Sequence, residues 1–300
     1  MAMAAIWMVM RRELSGTMTN VRSSSSTWHA CLAAAAFLLG CLLSPPPALA
    51  ADPGTNLAAH LATYSMKLTK ASQSSGVVAV KGAMNYAFTD ACNGWTVENR
   101  TTMTLSHGDG DEVDTTWTFV TWESKDGLKY RFRVQSTRDG DLVEEIQGQA
   151  TLDGPGLGGK AVFSKPEKKT VKLPKGTLFP NAHTLLLLDQ AKKGVRVLSR
   201  VVFDGASLDS PHEVNAVIGP AIASPASVGA GEIDNPLLKR PSWRSQMAFF
   251  PLSGKEGTPS YEVSLRYFDN GIAQDVDQDF GNFAVRAKIE TIEPLPKPDC

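Results

Sequence analysis

The sequence predicts a mostly β protein, an antiparallel meander organised around a single helix. Three observations carry that expectation. Apolar and polar residues alternate with period two through most of the chain after His60. Asp-Gly pairs at 109–110, 126–127, 139–140 and 153–154 punctuate the alternation, each supplying a residue that tolerates the positive φ of a tight hairpin. Only one stretch, Leu173–Gly194, carries strong helix signals. Strands and helices do not alternate, which excludes a doubly wound nucleotide-binding fold.

The chain opens on an export signal. Arg11, Arg12 and Arg22 precede an apolar core at Ala30–Leu43, and Ala48-Leu49-Ala50 forms a small-x-small cleavage pattern before Ala51. Met18 is an alternative start. The apolar run is about 14 residues, short of the roughly 20 that a membrane span needs. Leu38-Leu39-Gly40-Cys41 loosely resembles a lipoprotein processing site, but leucine directly before the glycine is unusual there. Cleavage after Ala50, giving a soluble exported chain, is therefore expected over lipidation at Cys41. Removing the signal takes three Arg and one Glu from a chain of formal net charge −1. The balance stays near neutral with no basic stripe, so nucleic acid is not an expected partner. The mature length suits one large β domain or two smaller ones. Cys31 and Cys41 leave with the signal, and the remaining pair, Cys92 and Cys300, suggests one disulfide; two free thiols are the alternative.

In order, the expected strands begin at His60–Lys70, with Leu61, Thr63, Ser65 and Leu68 in phase. Val78, Val80, Gly82, Met84, Tyr86 and Phe88 follow on one face, then Trp95, Val97, Met103 and Leu105. Val113–Trp122 has a strand composition, and Tyr130, Phe132 and Val134 alternate with Arg131 and Arg133, the mark of one buried and one wet face. Short strands at 160–164 and 170–173 precede the helix. There Pro180 fits the first helical position, Lys192 and Lys193 suit the negative end of the dipole, and Gly194 suits a left-handed stop. Leu185 to Leu188 point nearly all round the axis, so this helix is expected to be buried on most sides, as an internal brace or the lining of a cleft. Val195, Val197, Ser199, Val201 and Phe203 resume alternation. Residues 218–231, rich in Ala, Ser, Gly and Pro, read as an exposed loop. A strand at Pro241–Phe250, a hairpin closed by Asn270-Gly271, and a last strand with Phe283, Val285, Ala287 and Ile289 complete the chain.

Residues with chemistry are sparse. His60, His107, His183 and His212 show no metal spacing, and no nucleophile elbow or phosphate loop is present, so neither catalysis nor a cofactor is expected. The acidic run His107–Asp114 reads as a solvated hairpin tip. Asp275-x-Asp277-x-Asp279 suggests a calcium loop, but Phe280 stands where the turn needs glycine and Arg286 where a chelating glutamate belongs. Phe179, His183 and Leu187, on the helix segment, are the candidate binding residues. His183 is expected either to satisfy a buried carbonyl or to act as a pH-sensitive latch.

Several motifs then line up behind the signal: Gly82–Tyr86 (G-x-M-x-Y), Cys92–Trp95 (C-x-G-W), Leu173–His183 (L-P-x-G-T-x-F-P-x-x-H), Ala191–Gly194, the Asn270-Gly271 hairpin and Leu295–Cys300 (L-P-x-P-x-C). Together they resemble the EipB family of periplasmic cell-envelope integrity proteins, long classed as a domain of unknown function. The resemblance implies a single domain over 51–300, a curved sheet forming a broken barrel or β-spiral, and a fold similar in outline to lipoprotein-handling proteins. It also implies a Cys92–Cys300 disulfide, no catalysis, and a link to periplasmic tetratricopeptide-repeat proteins. Two functions are expected on this basis: a non-enzymatic envelope protein that binds a protein, peptide or lipid in a concave sheet, or a carrier for lipidated proteins. A deep apolar cleft would favour the carrier; a shallow polar groove would favour a protein partner.

Overall fold

The computed structural model describes residues 56–208, 210–224, 233–252 and 257–300. The signal peptide expected over residues 1–50 lies outside these. One antiparallel sheet of fourteen strands holds the described residues together. β1 (His60–Ala71) sits in its middle, between β2 (Val77–Asp90) and the last strand, β14 (Phe283–Pro294). From β2 the chain meanders outward through β3 (Gly94–His107), β4 (Glu112–Ser124), β5 (Lys129–Arg138), β6 (Asp141–Leu152) and β7 (Gly159–Lys165) to the edge strand β8 (Lys169–Leu173). The other wing begins at the opposite edge, β9 (Val197–Val202). It returns through β10 (His212–Ile222), β11 (Ser242–Pro251), β12 (Tyr261–Phe268) and β13 (Ala273–Asp279) to β14.

The two edges are consecutive in sequence, separated by the segment that carries α1 (Pro180–Lys192). Pairing β8 with β9 would close a barrel; the helix intervenes, and the sheet stays open. One point of closure remains, where the Leu178 N–H donates to the Val201 carbonyl (2.9 Å) and the Phe203 N–H donates to the Leu178 carbonyl (3.0 Å). Curvature puts one face of every strand inside. β4 buries Val113, Thr115, Trp117, Phe119, Thr121 and Glu123 and turns the intervening residues outward. Tyr130, Phe132, Phe163, Phe179 and Phe203 stack inside one wing, with ring centroids 5.1 Å apart for Tyr130–Phe179 and 5.3 Å for Phe132–Phe163. Gly205, at φ +66°, belongs to that packing: a Cβ there would lie 2.5 Å from the Phe132 ring.

The expected hairpins form, and Asp139 (φ +50°) and Gly140 (φ +90°) give the two positive dihedrals of a type I′ turn. Four local expectations are corrected. In β1 the inward set is His60, Ala62, Tyr64 and Met66, and Leu61 is 42% exposed; a histidine on the buried face hid the true phase. A register shift between Val77 and Ala79 turns Val78 outward and Val77 inward. β9 buries Leu198 and Val202 and exposes Val197, because adjacent valines and leucine make both faces apolar. Residues 218–222, read as loop, extend β10, and Ile218 is in the core; residues 225–232 lie outside the described ones.

Cys92 and Cys300 are bonded, with Cα atoms 5.8 Å apart across a sequence separation of 208. Closing so long a loop stabilises by at most about 5 kcal/mol on the chain-entropy account, and measured effects are smaller. Cys300→Ser should therefore lower the thermal midpoint by roughly 5–10 °C while leaving the β-sheet spectrum intact. Identical melts for wild type and variant would contradict this.

Candidate functional site

Everything the sequence singled out for binding lies on or beside α1. Its amino-terminal position is occupied by Phe179, whose side chain cannot accept a hydrogen bond, so the first N–H groups need a partner from elsewhere. The sheet supplies it. The wholly buried Glu123 of β4 accepts from the Asn181 N–H at 2.7 Å and from the Ala182 N–H at 2.8 Å. Burial pushes the Glu123 pKa up to about 8, against the pull of those two donors. Sequence reasoning passed over this residue. Its signal was a carboxylate in the buried phase of an alternating strand.

The far end of the helix closes as the sequence predicts. Gly194 takes φ +78°, the Gly194 N–H donates to the Ala191 carbonyl and the Val195 N–H to the Gln190 carbonyl. Lys193 reaches back to Asp189 at 2.8 Å. Between the ends, Leu185, Leu187, Leu188 and Ala191 are buried, as are the polar Asn181, Thr184 and Asp189. α1 is an internal brace.

Phe179, His183 and Leu187 are all at 0% exposure. The structure brings them together inside the core; in this conformation a ligand reaches them only if the brace moves. Neither ring nitrogen of His183 has a hydrogen-bond partner among the described residues, so the expected bond to a buried carbonyl is not made. Burial lowers its pKa to about 3, which keeps the ring neutral.

Beside the amino-terminal half of α1 is a small cavity of about 30 Å³, bounded by His60, Tyr86, Asn181, Thr184, Tyr267 and Asn270 among others. That space suits a water or two and is far too small for an acyl chain. Larger depressions open on the outer face of the sheet. One of about 530 Å³ crosses β14, β1, β2, β3 and β4, past Leu61, Asn85, Glu98, Arg100 and Val120. A neighbour of about 410 Å³ continues over β4 to β7, where the Arg131 guanidinium lies 5.3 Å from the Trp122 ring. The other sequence candidates are solvated or paired elsewhere. The acidic run at 107–114 is the β3–β4 hairpin tip, Asp277 pairs with Arg286 at 2.7 Å, and Asp279 pairs with Lys70 at 3.2 Å. No cluster of metal-ligating side chains occurs among the described residues, and no helix among them is long and apolar enough to cross a membrane.

With the fold and its brace established, the comparison with known proteins is direct. The EipB-like family model matches residues 51–296. The chain belongs to the EipB-like family. It is 30% identical over 252 residues to the cell envelope integrity protein EipB of Brucella abortus (strain 2308), covering 82% of this chain and 87% of that one. A crystal structure of a β-barrel-like protein of a domain of unknown function, also from Brucella abortus, matches with a TM-score of 0.73 at 28% identity. That match covers 81% of this chain and 100% of the other. The open, barrel-like sheet is thus the form of an EipB-like protein, and α1 is its internal support.

Two predictions test the brace. Leu187→Asp places an unpaired carboxylate in the core and should cost more than about 4 kcal/mol, abolishing the cooperative melt. The second concerns pH. The folded state holds Glu123 at about 8 against an ordinary 4.5, so its contribution is full below pH 4.5 and is lost as pH rises towards 8. It holds His183 at about 3 against 6.5, so that contribution is full above pH 6.5 and is lost as pH falls towards 3. The two slopes oppose each other between 4.5 and 6.5. Urea midpoints should therefore be flat in that window and fall on either side. Glu123→Gln should remove the alkaline fall and let the acidic one begin already at pH 6.5, and His183→Phe should remove the acidic fall and let the alkaline one begin at pH 4.5.

Proposed function

We propose that this EipB-like protein is a non-enzymatic, exported component of the cell envelope that supports envelope integrity and stress resistance by docking a partner protein. The observation that carries the envelope reading is the 30% identity over 252 residues with the cell envelope integrity protein EipB. The shape of the molecule supports a protein partner over a lipid cargo. A carrier needs an apolar chamber; here α1 and the aromatic cluster fill the interior, and the cavity beside the helix is about 30 Å³ and partly polar. The depression across β14 and β1–β4 is broad and open, with Leu61 and Val120 as apolar contacts among Asn85, Glu98 and Arg100. An exposed apolar contact within a polar rim is the usual anatomy of a protein interface. A periplasmic tetratricopeptide-repeat protein is the class of partner assigned to it. Phe179, His183 and Leu187 act indirectly in this reading, by fixing the helix that sets the curvature of the groove.

A strain lacking the gene should lose resistance to detergent, and the wild-type gene should restore it. The double variant Leu61→Glu, Val120→Arg should melt within a few degrees of wild type yet fail to restore resistance or to retrieve the partner from envelope extract. Full restoration by that variant would place the docking surface elsewhere.

A further inference from the structure

The β7–β8 hairpin and its approaches concentrate charge that the rest of this near-neutral chain does not have. Residues 160–175 contain six lysines, Lys160, Lys165, Lys168, Lys169, Lys172 and Lys175, against one carboxylate, Glu167. The register aligns them with a further cation. Lys129 of β5 stands opposite Thr151, Thr151 opposite Lys160, and Lys160 directly opposite Lys172. All four side chains in this row are exposed. Like charges directly opposite on neighbouring strands repel and destabilise a sheet, and no carboxylate of the described residues pairs with Lys129, Lys160 or Lys172. Asp126 lies near Lys129 without forming an ion pair with it, and Glu145, farther along β6, is engaged by Lys165 (3.2 Å) and Arg133 (3.3 Å).

We infer that the outer face of the β5–β8 wing is a docking surface for the anionic phospholipid headgroups of a bilayer. Protection of an open sheet edge by lysine accounts for Lys169 and Lys172 on β8. It does not account for Lys129 and Lys160, which lie on interior strands. A fitted carboxylate or phosphate ligand calls for guanidinium forks held by hydrogen bonds. The guanidinium groups of β5 on this face are engaged elsewhere, Arg131 over the Trp122 ring and Arg133 with Glu145, and the row itself presents ammonium groups on long stems from β5, β7 and β8. Strands about 4.8 Å apart spread such a row over about 15 Å, the arrangement that suits a fluid array of headgroups with no set geometry. Clusters of four to eight basic residues are the sequence form of anionic-lipid attraction. The surface lies beyond the β14–β4 groove proposed for a protein partner, so both can be occupied together.

Sedimentation with lipid vesicles tests this on the exported, purified protein. Vesicles of phosphatidylcholine with phosphatidylglycerol should retain the protein, pure phosphatidylcholine should not, and retention should fall as salt shortens the screening length from about 10 Å at 0.1 M to about 3 Å at 1 M. Each lysine at an anionic surface is worth about fivefold in partitioning, so Lys160→Glu with Lys172→Glu should lower retention at least about thirtyfold. Lys168→Glu with Lys175→Glu, both outside the strands, repeats the test without touching sheet pairing. Equal retention by the two kinds of vesicle would overturn the inference. So would unchanged retention of a charge-reversed variant that melts like wild type, or binding to polyglutamate without binding to vesicles.

Discussion

A helix with no capping side chain of its own has to be capped by the sheet, and the contact of Glu123 with the start of α1 does this. Two short hydrogen bonds fix the amino end of the helix to β4, at 2.7 and 2.8 Å. The geometry also explains why a carboxylate is kept in a place that raises its pKa. Without it, two backbone donors would be buried with no acceptor, at a cost of about 1–3 kcal/mol each. Once anchored there, α1 runs through the interior, fills the space a closed barrel would leave to side chains, and holds β8 and β9 apart.

The fold was legible because its grammar is local. Period-two alternation and Asp-Gly turns marked strands and hairpins, and Pro180, the four leucines and Gly194 marked the helix and its burial. Two of the phase errors share one cause. Val77-Val78 and Val197-Leu198 put apolar residues on both faces, so neighbours in three dimensions, and not hydropathy, decide which one turns inward. His60 misled in the opposite sense, since a histidine sits among the buried residues of β1. At the candidate site the helix was visible but its anchor was not: Glu123 and Asn181 are 58 residues apart, and nothing in local pattern announces a cap supplied across the sheet. The outer depressions were equally hidden, because they depend on the relative curvature of strands distant in sequence.

Interior and exterior divide the labour. Inside, several polar groups are satisfied by the backbone, as with the Tyr64 hydroxyl donating to the Ala273 carbonyl at 2.8 Å and the Tyr130 hydroxyl to the Asp204 carbonyl at 2.9 Å. Such bonds hold rings in place. Outside, the sheet carries hydroxyls, amides and charges in rows, with Leu61 and Val120 among the apolar members of one groove. A surface of that kind recognises by shape and charge, in keeping with the docking role proposed above.

The topology has one seam and one break, and each has its own fastening. The seam is the pairing of β1 with β14, where the first and last strands meet and the two wings join. The break is between β8 and β9. At the break, α1 and the Leu178 bridge limit how far the edges separate. At the seam, the disulfide links Cys92, in the turn between β2 and β3, to Cys300, beyond the end of β14. It therefore spans β1 and ties one wing to the other, and the Leu295 N–H, bonded to the Ala59 carbonyl at 3.0 Å, carries the pairing towards it. A closed barrel would hold its terminal strands by continuity in both directions round the ring. An open one can peel from the seam without first breaking the edges, so a covalent clip placed there guards the step by which this sheet would come apart.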